Sequence, residues 1–360
     1  MLNQVILWSL RNRLAVIVLA ALLLVFGLRT AMNAPLDVFP DFAPPQVVIQ
    51  AEAPGFSAEE VEQLIALPLE TALNGTSNLE VIRSSSAAGL AVVTCTFEEG
   101  TDIFRARQLV GEKLQIARAR LPEGANAPQM TPISPPVGTL LRVSLVAKET
   151  SLPATSLMDL RTPADWTIRP RLLAVPGVSQ IIVFGGEVKQ YQVIVDPAKL
   201  KDFGVTLGEV MNAARSANQN AAAGFLDTAG QTMVIQGEGR VRALSDLENA
   251  VVAVKNNLPV KIGQVARVQF GAEYKVGDSS TAGQPSVIVI VLKQPWANTL
   301  QTTRAVEAAL GELRPALPRD VVMDAGIFRQ ADFIERSISN INWAILQGGL
   351  LVVLVLALFL

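Results

Sequence analysis

The 360-residue chain contains no histidine and a single cysteine. Without histidine the Ser-His-Asp and Cys-His arrangements of nucleophilic catalysis are excluded, and the commonest metal ligand and pH switch is missing. One cysteine excludes an intrachain disulfide framework. No glycine-rich phosphate loop follows a strand pattern, and the acidic residues are scattered with nothing in the sequence to pair them. Charge is scarce too. Only 17% of residues are Asp, Glu, Lys or Arg, and a net charge of −2 with a pI of about 5.5 gives no support to a nucleic-acid-binding face. Neither an enzyme nor a bound cofactor is expected.

What the chain does have is apolar residues: 50% of the total, with a mean hydropathy of +0.36. They concentrate at the two ends. Residues 14–28 read LAVIVLAALLLVFGL without a charge, between Arg11 and Arg13 on one side and Arg29 on the other. Extended to 14–32, the segment approaches the ~20 residues that cross a bilayer. The first 13 residues hold two arginines and no acid, which places the N-terminus in the cytoplasm. A cleavable signal peptide shares the charged start, but RTAMNAP is a poor cleavage flank. The second segment ends in WAILQGGLLVVLVLALFL, with no charge after Arg336, and is expected to span over 338–360. A native terminus at Leu360 would bury its carboxylate at the hydrocarbon edge, so the expectation is a chain that stops inside its second span. Neither apolar core holds an ionisable group, hence no proton relay is expected within these residues.

Roughly 300 residues separate the spans, room for two or three domains. They begin with the proline-rich leash APLDVFPDFAPP (34–45). A β-α-β-β-α order follows: a strand at 46–52, a helix opened by a Ser57/Glu60 capping box and kinked by Pro68, strands near 79–83 and 91–97, and a helix over 103–120. The split βαβ arrangement adds a last strand. A second such unit is interrupted. Its first half holds strands at 141–147 and 178–184 around a broken helical stretch, 156–174. Its second half holds SVIVIVL (286–292), expected to be buried on both faces, then a helix from Asn298 and a strand at 321–324. Within the insert, Gly185-Gly186 is expected to turn a hairpin between 181–184 and 190–195. Asp196-Pro197 and Thr206/Glu209 start helices. Residues 221–236 read as a long hairpin arm with Thr228, Ala229 and Gly230 at its tip.

Cys95 shares a strand face with Ala91, Val93 and Phe97, so a buried, inert thiol is expected. Met130, Met158, Met211, Met233 and Met323 stand far apart and read as core gap-fillers and surface strays, not ligands. In the helix over 103–120, Ile103, Ala106, Val110, Leu114 and Ala117 form an apolar stripe, while Arg105, Gln108, Glu112 and Gln115 form a polar one. In a monomer that stripe is a solvated face. Three copies packed round an axis would turn it into a hydrophilic pore.

Several segments together resemble one family. GTDIFRARQLVGEKLQ (100–115), VFPDFAPPQVVIQAEAPGFSAEEVEQLIALPLETALNG (38–75), DLRTPADWTIRPRL (159–172), VPGVSQIIVFGG (175–186) and YQVIVDPAKLKDFGVTLGEV (191–210) are similar, in order, to the RND efflux permeases. Asp165-Trp166 resembles the heavy-metal cation branch more than the multidrug branch, whereas MTPISPPVGTLL (130–141) has more proline than that branch leads one to expect. The resemblance implies an α+β membrane protein in which two transmembrane helices flank two ferredoxin-like (βαββαβ) porter subdomains. The first would occupy 33–133 and the second 134–184 with 277–330, split by a half docking domain at 185–276. It further implies a proton-driven homotrimer in the inner membrane, multi-pass, with a large periplasmic region. Its partners would be a periplasmic adaptor (membrane fusion) protein and an outer-membrane channel protein, and its cargo heavy-metal cations. Asp102, Gln108, Glu112 and Gln115 would line the central pore. Thr228, Ala229 and Gly230 would form an intersubunit loop. The family's proton-relay acids and metal-binding methionines would lie beyond Leu360. The competing expectations are a multidrug-type permease and a two-span periplasmic sensor.

Overall fold

The computed structural model describes Trp8 and residues 11–33, 44–135, 138–148, 155–228, 230–237, 239–255, 257–275 and 277–359. Most of the N-terminal 13 residues and of the leash at 34–45 lie outside the described residues. Helix α1 (Arg13–Asn33) has 21 residues, about 30 Å at 1.5 Å per residue. Its Leu14, Ile17, Leu19, Leu22, Leu23 and Phe26 are all exposed, so nothing among the described residues covers their apolar surface.

The first α+β unit follows: β1 (Gln46–Glu52), α2 (Ala58–Val61), a π-helical turn (Glu62–Ala66), α3 (Leu67–Leu73), β2 (Leu79–Ala87), β3 (Leu90–Phe97), α4 (Ile103–Arg118) and β4 (Gln129–Met130). The Ser57/Glu60 capping box forms with both hydrogen bonds in place. The irregularity at Pro68 takes the form of the π turn. Proline has no N–H and crowds the carbonyl four residues back, and the residue before it, Leu67, donates five residues back to Glu62. All strand pairs are antiparallel, in the order β2-β3-β1-β4. Period-two alternation sends Val47, Ile49, Ala51, Ala91, Val93, Cys95 and Phe97 to the face that packs against Ile65, Leu69, Val110 and Leu114.

The second unit repeats the plan. It contains β5 (Thr139–Ala147), α5 (Leu157–Pro163), a π-helical turn (Ala164–Ile168), α6 (Arg169–Leu173) and β6 (Val178–Gly185). Pro170 again follows the π turn, and Arg169 donates five residues back to Ala164. The chain then leaves through β7 (Lys189–Val195), α7 (Pro197–Phe203), α8 (Leu207–Ser216), β8 (Ala221–Thr228), β9 (Gln231–Gly237), α9 (Leu244–Glu248), β10 (Val251–Lys255), β11 (Leu258–Lys261), α10 (Ile262–Val265) and β12 (Ala266–Ala272). It returns through a short hairpin of β13 (Ser280–Thr281) and β14 (Gln284–Pro285) to β15 (Val287–Lys293), α11 (Thr299–Leu313), β16 (Val321–Arg329) and α12 (Gln330–Phe359). The second sheet runs β16-β5-β15-β6. Numbered within each unit, both sheets have the order fourth, first, third, second.

Two expectations are corrected. Gly185-Gly186 does not turn a hairpin: β6 pairs with β15, and β7 pairs with β12. Both glycines have left-handed backbones, φ +74 and +70, where a side chain would be strained. A Cβ on Gly186 would stand 2.6 Å from Val287 Cγ2, so these two residues hand the chain from one sheet to the next at close quarters. β15 is not buried on both faces. Val287, Val289 and Val291 are fully buried, whereas Ile288, Ile290 and Leu292 on the other face are half-buried. Capping holds at Asp196 and at the Thr206/Glu209 box.

Among the described residues, α12 is the one helix long and apolar enough to cross a membrane. Phe97 is the largest fully buried side chain of the first core. Phe97→Ala is expected to destabilise that unit by about 3–5 kcal/mol. Phe104→Ala, at a 63%-exposed site, should stay within about 0.5 kcal/mol. Exchange of the β1 and β3 amides reads both.

Candidate functional site

Helix α4 is fixed to its own unit on three sides. Its apolar stripe delivers Ala106, Val110, Leu114 and Ala117 to the core, while Ile103 is half-buried at the rim. On one flank the Arg107 guanidinium donates to the Thr131 carbonyl (2.7 Å). Partial burial lowers the Arg107 pKa from its ordinary value. On the other flank Lys113 Nζ donates to the Asn74 carbonyl (2.7 Å). What remains is an outward face. There Arg105 donates to Gln108 Oε1 (3.1 Å), and Gln108 Nε2 donates to Glu112 Oε1 (3.2 Å). Gln115 lies one turn further along the same exposed line. Phe104 and Ile116, both more than 60% exposed, flank it. The structure therefore gathers Gln108, Glu112 and Gln115 into one exposed row. Asp102 stands apart from them as the N-cap of α4, its carboxylate accepting from the Phe104 N–H (3.0 Å).

The hairpin arm has its expected strands. β8 and β9 pair antiparallel from Ala221↔Gly237 to Thr228↔Gln231. Gly230 adopts φ +93 at the tip, and Ala229 lies outside the described residues. Asp165 and Trp166 fall on the second π turn. Asp165 holds the Arg161 guanidinium (2.6 Å), which also donates to the Gly185 carbonyl (2.6 Å). The carboxylate thus steadies the point where the insert departs, while Trp166 is 81% exposed.

The chemistry of these groups is that of a surface, not a reaction centre. Among the described residues no group of three His, Cys, Asp or Glu side chains is placed to hold a metal ion. The methionines occupy separate elements: Met130 on β4, Met158 on α5, Met211 on α8, Met233 on β9 and Met323 on β16. One assembly escaped the sequence reading altogether. Arg329, at the end of β16, pairs with Glu307, Asp332 and Glu335 at 2.7, 2.5 and 2.9 Å. The Arg329/Asp332/Glu335 spacing is visible in the sequence, but Glu307 is contributed by another helix.

With two four-stranded units, an insert and two apolar helices in view, the comparisons decide the family. A model of the AcrB/AcrD/AcrF family matches residues 5–360. The chain belongs to that family, the RND permeases. It is 32% identical to Protein HelA of Legionella pneumophila and 31% identical to the cation efflux system protein CusA of Escherichia coli K12. It is likewise 31% identical to the cobalt-zinc-cadmium resistance protein CzcA of Cupriavidus metallidurans. Each match covers 100% of this chain and 34% of the relative. A crystal structure of a heavy metal efflux pump superposes with a TM-score of 0.88 at 28% identity, over 99% of this chain and 35% of that one. The chain thus spans about a third of the length of the relatives it matches.

Cys95 sits where its strand register put it, 1% exposed in the first core. Burial pushes its thiol up to about 11, so the thiolate is scarce near neutral pH. A maleimide at pH 8 is expected to leave Cys95 unmodified in the folded chain and to label it fully after denaturation. Rapid labelling without denaturant, followed by mass spectrometry, would contradict this.

Proposed function

We propose that this RND family member supplies the N-terminal part of a proton-driven efflux permease that exports heavy-metal cations through a tripartite envelope complex. The observation that carries the reading is the unbroken similarity, over the entire chain, to proteins named for cation efflux and cobalt-zinc-cadmium resistance, in step with the likeness to a heavy metal efflux pump. On this reading α1 and α12 cross the inner membrane, their bare apolar surfaces covered by lipid, and the region between them lies in the periplasm. The two α+β units are ferredoxin-like porter subdomains, 33–133 and 134–184 with 277–330. The insert at 185–276 is half of a docking domain facing an outer-membrane channel protein, beside a periplasmic adaptor.

In a homotrimer the outward row of α4 lines a central passage. Gln108, Glu112 and Gln115 offer neutral amides and one carboxylate per chain, a wall that keeps water and cations solvated without holding them. Asp102 marks the end of that wall through its capping position. Thr228, Ala229 and Gly230 form the loop that reaches the neighbouring subunit. Energy coupling and metal choice fall to parts of a full-length permease that these residues do not supply.

A graft tests the proposal. Residues 1–360 replace the corresponding third of the E. coli cation efflux relative, and the chimera is returned to cells lacking that pump. Restored cation tolerance is the expected result. A chimera that reaches the membrane as a trimer and protects against organic compounds but not cations would sink the heavy-metal assignment.

A further inference from the structure

The two apolar helices are joined to the periplasmic units in different ways. Between α1 and β1 lie residues 34–45, a stretch with four prolines. Between β16 and α12 there is nothing: the strand ends at Arg329 and the helix begins at Gln330. A displacement of α12 is therefore passed directly to an edge strand of the second sheet, provided the junction is stiff.

The junction has a device that stiffens it. The Arg329 side chain is 19% exposed and meets carboxylates from two directions. Its Nε donates to Glu307 on α11 (2.7 Å), and its Nη1 donates to Asp332 (2.5 Å) and Glu335 (2.9 Å) on the first turns of α12. Arg304, also on α11, approaches Glu335 at 3.7 Å. The planar fork of arginine binds several oxygens at fixed angles, which a lysine ammonium does not do. Beneath the cluster Ala331 and Ile334 are buried. Gln330 is 3% exposed, yet its Oε1 accepts no hydrogen bond among the described residues. Apolar docking and the arginine, rather than that amide oxygen, hold the turn. A register bulge between Asp324 and Phe328 bends β16 just before this point, so the strand alone does not set the helix direction.

We propose that Arg329 is a positioning residue, the clamp that locks the first turns of α12 to α11 so that movement of α12 reaches the second sheet. This rests on the reading of α12 as a membrane span. The clamp acts on geometry and carries no cargo.

The test uses the full 360-residue chain in lipid nanodiscs. Spin labels at Ala305→Cys and Asn340→Cys report the distance between α11 and α12, and hydrogen exchange is followed on the unlabelled chain. Arg329→Gln should broaden the distance distribution and speed exchange at 330–336 by about tenfold, with 287–293 unchanged. Arg329→Lys, which restores charge without the fork, should recover part of both. Glu307→Gln and Glu335→Gln each remove one side of the clamp and should show the same change in smaller degree, so the outcome does not depend on one variant folding. Unaltered distances and exchange in all of them overturn the proposal. A speed-up shared equally by 287–293 also overturns it, because Arg329 would then be a staple of the unit itself. Protection at 344–358 reports insertion separately. Fast exchange there overturns the span reading and with it the coupling role, while the 330–336 comparison still decides whether the clamp exists.

Discussion

Strand β15 carries both halves of the second unit. It hydrogen-bonds to β5 on one side and β6 on the other, yet it enters the chain only at Val287, after the whole insert has been made. Until β15 arrives, β5 and β6 have no common partner, and the edges that it joins stay unpaired. A loop of that length adds little more closure entropy than a shorter one, since the cost grows only with the logarithm of length. The return is then rewarded by Val287, Val289 and Val291, all fully buried. The insert is held at both ends by one seam, with Gly185 and Gly186 packed against the residues where the strand comes back.

The features legible in the sequence were local ones. Capping boxes at Ser57/Glu60 and Thr206/Glu209 need only a four-residue window. The burial of Cys95 needs only strand alternation, and the β8–β9 hairpin only two strands and a turn. Partner choice was not legible. A pair of glycines between two strands looks like a hairpin whether the strands join each other or, as here, distant neighbours. The same limit hid the Arg329 cluster, because Glu307 reaches it from α11 across the turn of the chain. It also hid the length of β16, whose bulge interrupts the alternation after Asp324. The site was half legible: periodicity found the exposed row on α4, while only the backbone shows that Asp102 is a cap and not part of that row.

Duplication of one plan explains much of the architecture. Both units share strand order, and each bears a π turn six residues ahead of a proline at the same point in its first helix: Glu62 before Pro68, Ala164 before Pro170. Their differences carry the functional reading. The first unit turns a polar helix face outward and is preceded in the sequence by a proline-rich segment. The second opens to admit the insert and runs without a break into α12. On the proposed reading, one unit would line a passage and the other would answer movement of the membrane span.

All of this depends on the region between the two apolar helices lying on the far side of the inner membrane from the N-terminus. Labelling with a membrane-impermeant maleimide in intact spheroplasts decides the matter, using Trp8→Cys and Lys199→Cys in separate chains, since native Cys95 is buried. The account predicts that the Lys199→Cys chain is modified at once and the Trp8→Cys chain only after permeabilisation. Equal labelling of both, or labelling at position 8 alone, would contradict it.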